Sequence, residues 1–104
     1  MMEKKIRRPR WDNEATDDLI SALLLLKNRQ EAKKFLRDLL TEVELIELGK
    51  RWKIVQMLDR GDSYAVIEKE THMSSRTIAR VHRWMKKGFG AGGYELMLKR
   101  VRKN

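Results

Sequence analysis

The chain has 104 residues, 41% of them hydrophobic, no cysteine, and a formal net charge of +9 at neutral pH. This length fits one domain, and the missing cysteine excludes a disulfide scaffold and any thiolate chemistry at a metal or as a nucleophile, in keeping with a reducing cytoplasmic location. The longest apolar run, Ala22 to Leu26, is far shorter than the roughly 20 residues that span a bilayer, so no membrane association is expected.

The charge is unevenly placed. Residues 1–10 carry five basic groups and one acidic, residues 11–48 five basic and nine acidic, and residues 49–104 fourteen basic and five acidic. An acidic middle between basic flanks marks a side of the molecule that faces a polyanion. The start, MMEKKIRRPR, offers no apolar face, and Pro9 disfavours helix at Arg8. Residues 1–10 therefore read as a basic flexible arm, and residues 11–104 as a single helical domain. Because the arm runs into acidic WDNEATDD and not into an apolar core, no signal peptide is expected.

A first helix is expected to start at Asp12 or Asn13, with Glu14, Asp17 and Asp18 at its positive end. Ala15, Leu19, Ala22, Leu23 and Leu26 make its apolar stripe, and Leu24 and Leu25 widen it beyond one face, which calls for protein on more than one side. A second helix, about 30–40, buries Ala32, Phe35, Leu36 and Leu39. Thr41-Glu42-Val43-Glu44 has the T-x-x-E form of a capping box and opens a third helix over 42–60. Its inner stripe is predicted as Leu45, Leu48, Trp52, Val55 and Leu58, with Ile46 and Ile54 alongside. Gly61 is placed for a left-handed C-terminal cap, and Asp62 or Ser63 caps the next helix.

The stretch from Asp62 to Lys86, DSYAVIEKETHMSSRTIARVHRWMK, reads as a short helix to Glu70 or Thr71, a tight turn, and a longer helix from Ser75. Ile67, Met73, Ile78 and Val81 fall where a helix-turn-helix packs its two helices together. The turn carries His72 where glycine is common, and the first helix carries Glu68 where a small residue is usual. The outward face of the second helix holds Ser74, Ser75, Arg76, Thr77, Ala79, Arg80 and Arg83, followed by Lys86 and Lys87. Amides and hydroxyls at a helix start bind phosphate, and arginine can reach guanine O6 and N7 with a bidentate fork. These are the candidate DNA-binding residues. The same pattern also suits two amphipathic helices with a solvated basic face. GFGAGG, residues 88–93, is expected to be a loop, and Tyr94, Met97, Leu98 and Val101 to line one face of a last short helix.

From about Trp11 to Val101 the chain resembles the Trp repressor family, and within it the YerC/YecD-like branch. The resemblance is densest in LTEVELIELGKRWKIVQMLDRGDSYAVIEKET, residues 40–71, and TIAR, residues 77–80. It implies an all-α fold of about six helices in an intertwined homodimer, acting as a sequence-specific double-stranded DNA-binding repressor of transcription. Two arginines that frame the tryptophan ligand in the repressor proper correspond to Arg51 and Arg80, and a threonine beside that pocket corresponds to Thr41. The serine that helps hold the ligand amine corresponds to Trp84, the glycine after the second arginine to Val81, and an apolar wall residue to Asp38. Thr41, Arg51, Arg80 and Trp84 are thus the candidate effector pocket. The departures argue against L-tryptophan as co-repressor, and no cofactor is expected.

Enzymatic chemistry finds little footing. His72 and His82 lie ten residues apart with no carboxylate or cysteine at ligand spacing, and the loop at 88–93 lacks the lysine and preceding strand of a phosphate-binding loop. The methionines at 57, 73, 85 and 97 sit at core-like spacings. The standing alternative is a helix-turn-helix module that binds RNA or a protein partner, since fold does not fix function. Single-stranded RNA readers commonly stack bases on aromatics, and few aromatics are predicted on the outward face.

Overall fold

The structure is a computed structural model that describes residues 8–103. Among these the chain forms six α-helices and no strand: α1 (Glu14–Leu24), α2 (Arg29–Leu39), α3 (Glu42–Asp59), α4 (Tyr64–Thr71), α5 (Ser75–Met85) and α6 (Gly93–Lys103). None of them is long and apolar enough to cross a membrane. The backbone divides into two compact units, residues 1–41 and 42–104.

In the first unit, each helix is opened by an asparagine. The Asn13 side chain accepts from the Thr16 amide and that of Asn28 from the Glu31 amide, which satisfies donors that the first turn of a helix leaves open. Of the basic arm, only residues 8–10 lie among those described. Arg8 pairs with Asp12 at 2.5 Å and Asp17 at 2.8 Å, and the hydrogen bonds to Asp12 and then Asp17 hold its guanidinium well above the ordinary arginine value. The apolar stripes of this unit stay open. Neither α1 nor α2 has a buried residue, and Leu24 and Leu25 are 81% and 76% exposed. Ala15, expected to be buried, is exposed. Periodicity marks which face is apolar; it does not supply the partner that covers it.

The second unit holds the core. Ile54, Val55 and Met57 of α3, Ile67 of α4, Ile78 and Val81 of α5, and Leu98 of α6 form its buried cluster, with Trp52, Leu58, Tyr64, Met73, Met85 and Tyr94 packed around it. The predicted inner stripe of α3 is correct only in its C-terminal half. Leu48 and Ile46 are exposed and Leu45 is half-buried, because the core that α3 shares with α4 and α5 gathers on Ile54, Val55 and Met57 in the second half of the helix. On α6, Leu98 is buried as expected, whereas Met97 and Val101 are exposed. Gly93, read as loop, is the first residue of α6.

Each junction around α4 is closed by hydrogen bonds. The Gly61 amide donates to the Leu58 carbonyl and the Asp62 amide to that of Met57, with Gly61 at φ 91°, a Schellman end to α3. Ser63 then caps α4, its hydroxyl accepting from the Val66 amide. At the other end of α4, the buried Thr71 hydroxyl donates to the Ile67 carbonyl at 2.7 Å and accepts from the Met73 amide at 3.3 Å. Removing that oxygen while keeping side-chain volume leaves the Met73 amide without its acceptor. Thr71→Val should therefore lower unfolding free energy by about 1–2 kcal/mol in denaturant titration, with helicity at 25 °C retained.

Candidate nucleic-acid interface

The turn between α4 and α5 is built without glycine. His72 occupies the left-handed region at φ 57° and ψ 28°, and its amide donates to the Glu68 carbonyl at 2.9 Å. Histidine is among the non-glycine residues that tolerate this conformation, so the position that departs from the usual pattern still makes the required bend. Ser74 closes the turn as N-cap of α5. Its hydroxyl accepts from the Thr77 amide at 3.2 Å and lies 3.1 Å from the Thr77 hydroxyl. Tyr64 ties the helix pair together from the side: its hydroxyl is 2.9 Å from Nδ1 of His82, and the two rings meet edge to face. Nothing in the spacing of the sequence pointed to that pair, or to Thr71.

With Ile78 and Val81 buried, helical geometry carries the next residues round to the opposite side. Ser74, Ser75, Arg76, Ala79, Arg80, Arg83, Lys86 and Lys87 are all exposed, and Thr77 is half-buried. Arg76, Arg80, Lys86 and Lys87 form no ion pair with any carboxylate among the described residues. Arg83 is different, because its guanidinium carbon sits 5.9 Å from the centre of the Phe89 ring. Four acidic groups of the unit pair with other cations: Glu70 with Lys53, Asp62 with Arg60, Asp59 with Arg102 and Glu95 with Lys99. The result is a strip of cations, four of which have no ion-pair partner among the described residues.

The segment after α5 folds back on it. Gly88 and Gly92 adopt φ 93° and 87°, and Gly90 passes so near α5 that a Cβ there would collide with the Trp84 carbonyl oxygen. The loop, Trp52, Trp84, Tyr94 and Met97 enclose an open cleft of about 670 Å³. Of the candidate effector residues, Trp84 lines this cleft and is itself half-exposed, whereas Arg51 and Arg80 are exposed and do not line it. Thr41 is the last residue of the first unit. Val81, which corresponds to a glycine in the family's pocket, is part of the core. Among the described residues, no cluster of histidine, aspartate or glutamate is placed to hold a metal ion.

An all-helical chain whose α4 and α5 are joined by a tight left-handed turn, with cations along the outer face of α5, is a helix-turn-helix protein of the nucleic-acid-binding type. The sequence profile of the family described as Trp repressor protein matches residues 14–102, and the chain belongs to that family. It is 38% identical over 86 residues to the uncharacterized protein YerC of Bacillus subtilis (strain 168), an alignment covering 83% of this chain and 81% of that one. Among solved structures, a TrpR-like protein from Eubacterium eligens ATCC 27750 superposes with a TM-score of 0.83 at 31% identity, covering 89% of this chain and 94% of the other. A candidate Trp repressor from Staphylococcus aureus superposes with a TM-score of 0.78 at 37% identity, covering 86% and 88%. The expected all-α, Trp-repressor-like fold and the YerC/YecD-like branch are therefore correct.

Proposed function

We propose that this chain is a sequence-specific double-stranded DNA-binding transcriptional repressor, acting as a homodimer in the cytoplasm through its helix-turn-helix and performing no enzymatic reaction. The observation that carries the reading is the cationic face of α5, held outward by the burial of Ile78 and Val81. A helix so decorated matches the major groove in width and chemistry, with arginine forks for base edges and the lysines at 86 and 87 for phosphate. The RNA reading is less favoured, because the outward face of α5 is lined by arginines and small residues, with aromatics only at its end, Trp84 and Phe89. Arg76→Ala and Arg83→Ala should each weaken binding to a selected duplex by about tenfold, with circular dichroism unchanged. Undiminished duplex affinity in both variants would overturn the reading, and tighter binding to single strands than to duplex would favour RNA.

Support for the homodimer comes from what the chain leaves uncovered. A helix pair with no buried residue, together with exposed Leu24, Leu25, Ile46, Leu48, Met97 and Val101, is more apolar surface than a stable monomer ordinarily shows. Sedimentation at micromolar concentration should return about twice the chain mass, and a folded monomer would refute the dimer.

The same reading includes no L-tryptophan requirement. Two departures from the family's pocket support this: Val81, a buried branched residue, corresponds to a glycine, and Trp84 to a serine. Calorimetry with L-tryptophan should show no micromolar binding, with or without duplex, and ligand binding that tightened DNA affinity would reverse this conclusion.

A further inference from the structure

The glycine-rich loop after α5 does something specific to one of the three arginines. At the end of α5 the Lys86 amide donates to the Arg83 carbonyl at 3.0 Å, and the Phe89 amide donates to the Lys86 carbonyl at 3.2 Å. These two closely spaced turns, with Gly88 in the left-handed region, reverse the chain and bring Phe89 back beside Arg83. The reversal is then fixed by contact, since Gly90 rests against the Trp84 carbonyl at a distance that no other residue would allow. Phe89 consequently stands 55% exposed, yet with one ring face under the Arg83 guanidinium. Arg76 and Arg80 have no comparable support among the described residues.

We propose that Phe89 is a positioning residue for Arg83, a specificity-determining element supplied by the loop and not by the helix-turn-helix itself. The proposal rests on the DNA-binding reading above. A planar guanidinium can stack through its face on an aromatic ring while its N–H donors, which lie in the plane, stay free for a bidentate contact. With its guanidinium carbon over the ring at 5.9 Å, Arg83 can rest its face on Phe89 and turn its edge to guanine O6 and N7. Ordering a long side chain before the encounter removes part of the entropy that would otherwise be lost on binding. Arg83 thereby becomes a fixed reader, while Arg76 and Arg80 remain free to adjust.

The test compares Phe89→Leu, which keeps an apolar side chain without the ring, with Phe89→Tyr, which keeps the ring. Each is measured on the preferred duplex and on duplexes changed one base pair at a time, alone and combined with Arg83→Ala. Phe89→Leu should weaken binding to the preferred duplex about two- to fivefold and reduce discrimination at one base pair. The slope of affinity against salt should not change, because no phosphate contact is lost. Phe89→Tyr should retain both affinity and discrimination, and Phe89→Leu should add nothing once Arg83→Ala is present. In the free protein, the Arg83 side-chain proton resonances should shift on Phe89→Leu, as the ring no longer lies beneath them.

Three outcomes overturn the proposal: wild-type behaviour of Phe89→Leu, an equal loss in the Arg83→Ala background, or Arg83 resonances that do not move. The second would mean that the ring itself touches DNA or serves only the fold. Unchanged duplex binding by Arg83→Ala alone would instead bring down the base-reading half of this proposal, and unchanged binding by Arg76→Ala as well would bring down the DNA reading on which it rests. The ring contact would then still be judged by the resonances of the free protein.

Discussion

The rotation of α5 about its own axis is set by Ile78 and Val81, and the rest of the candidate interface depends on it. Both side chains are buried in the cluster formed by Ile54, Val55 and Met57 of α3 and Ile67 of α4. A helix turns by about 100° per residue, so a slip of one position would carry a guanidinium towards that apolar cluster, where an unpaired charge is heavily penalised. The direction in which Arg76, Arg80 and Arg83 point is thus a consequence of core packing. Thr71, His72 and Ser74 complement this by fixing where α5 begins relative to α4, through one bent residue and hydrogen bonds at both helix ends.

Much of this was legible in the sequence because it is local. The Gly61 cap, the Ser63 start of α4, the beginning of α5 and the inward placement of Ile67, Ile78 and Val81 follow from short-range rules of capping and periodicity. What failed was long-range. Leu48 satisfies the apolar spacing of α3 as well as Val55 does, yet only Val55 joins the core cluster with Ile67 and Ile78, so one is buried and the other exposed. Met57 has nothing in its spacing to set it apart from the other methionines, yet it is wholly buried in one cluster with Ile54. Phe89 gave no signal at all, since a lone aromatic in a glycine-rich stretch has no periodicity to place it.

The glycines of that stretch also differ in kind. Gly88 and Gly92 are required by backbone angle, Gly90 by the nearness of the Trp84 carbonyl, and Gly93 by neither. A run that looks compositionally uniform is therefore a shaped connection, with one residue holding the loop against α5 and two others turning it. The cleft beside Trp52 and Tyr94 owes its outline to the same path.

The uneven distribution of buried side chains bears on how the chain comes to be folded. The contacts among α3, α4 and α5 join neighbours in sequence, a topology associated with rapid folding. The unit from residue 42 onward can begin to collapse on itself as soon as it is available. Synthesis delivers α1 and α2 before that unit, and they bury no residue of their own. During elongation the leucine run at 23–26 thus emerges before the residues that build the core of the second unit, with little in its own unit to cover it. On a nascent chain, that run is where chaperone engagement or premature association between copies would begin.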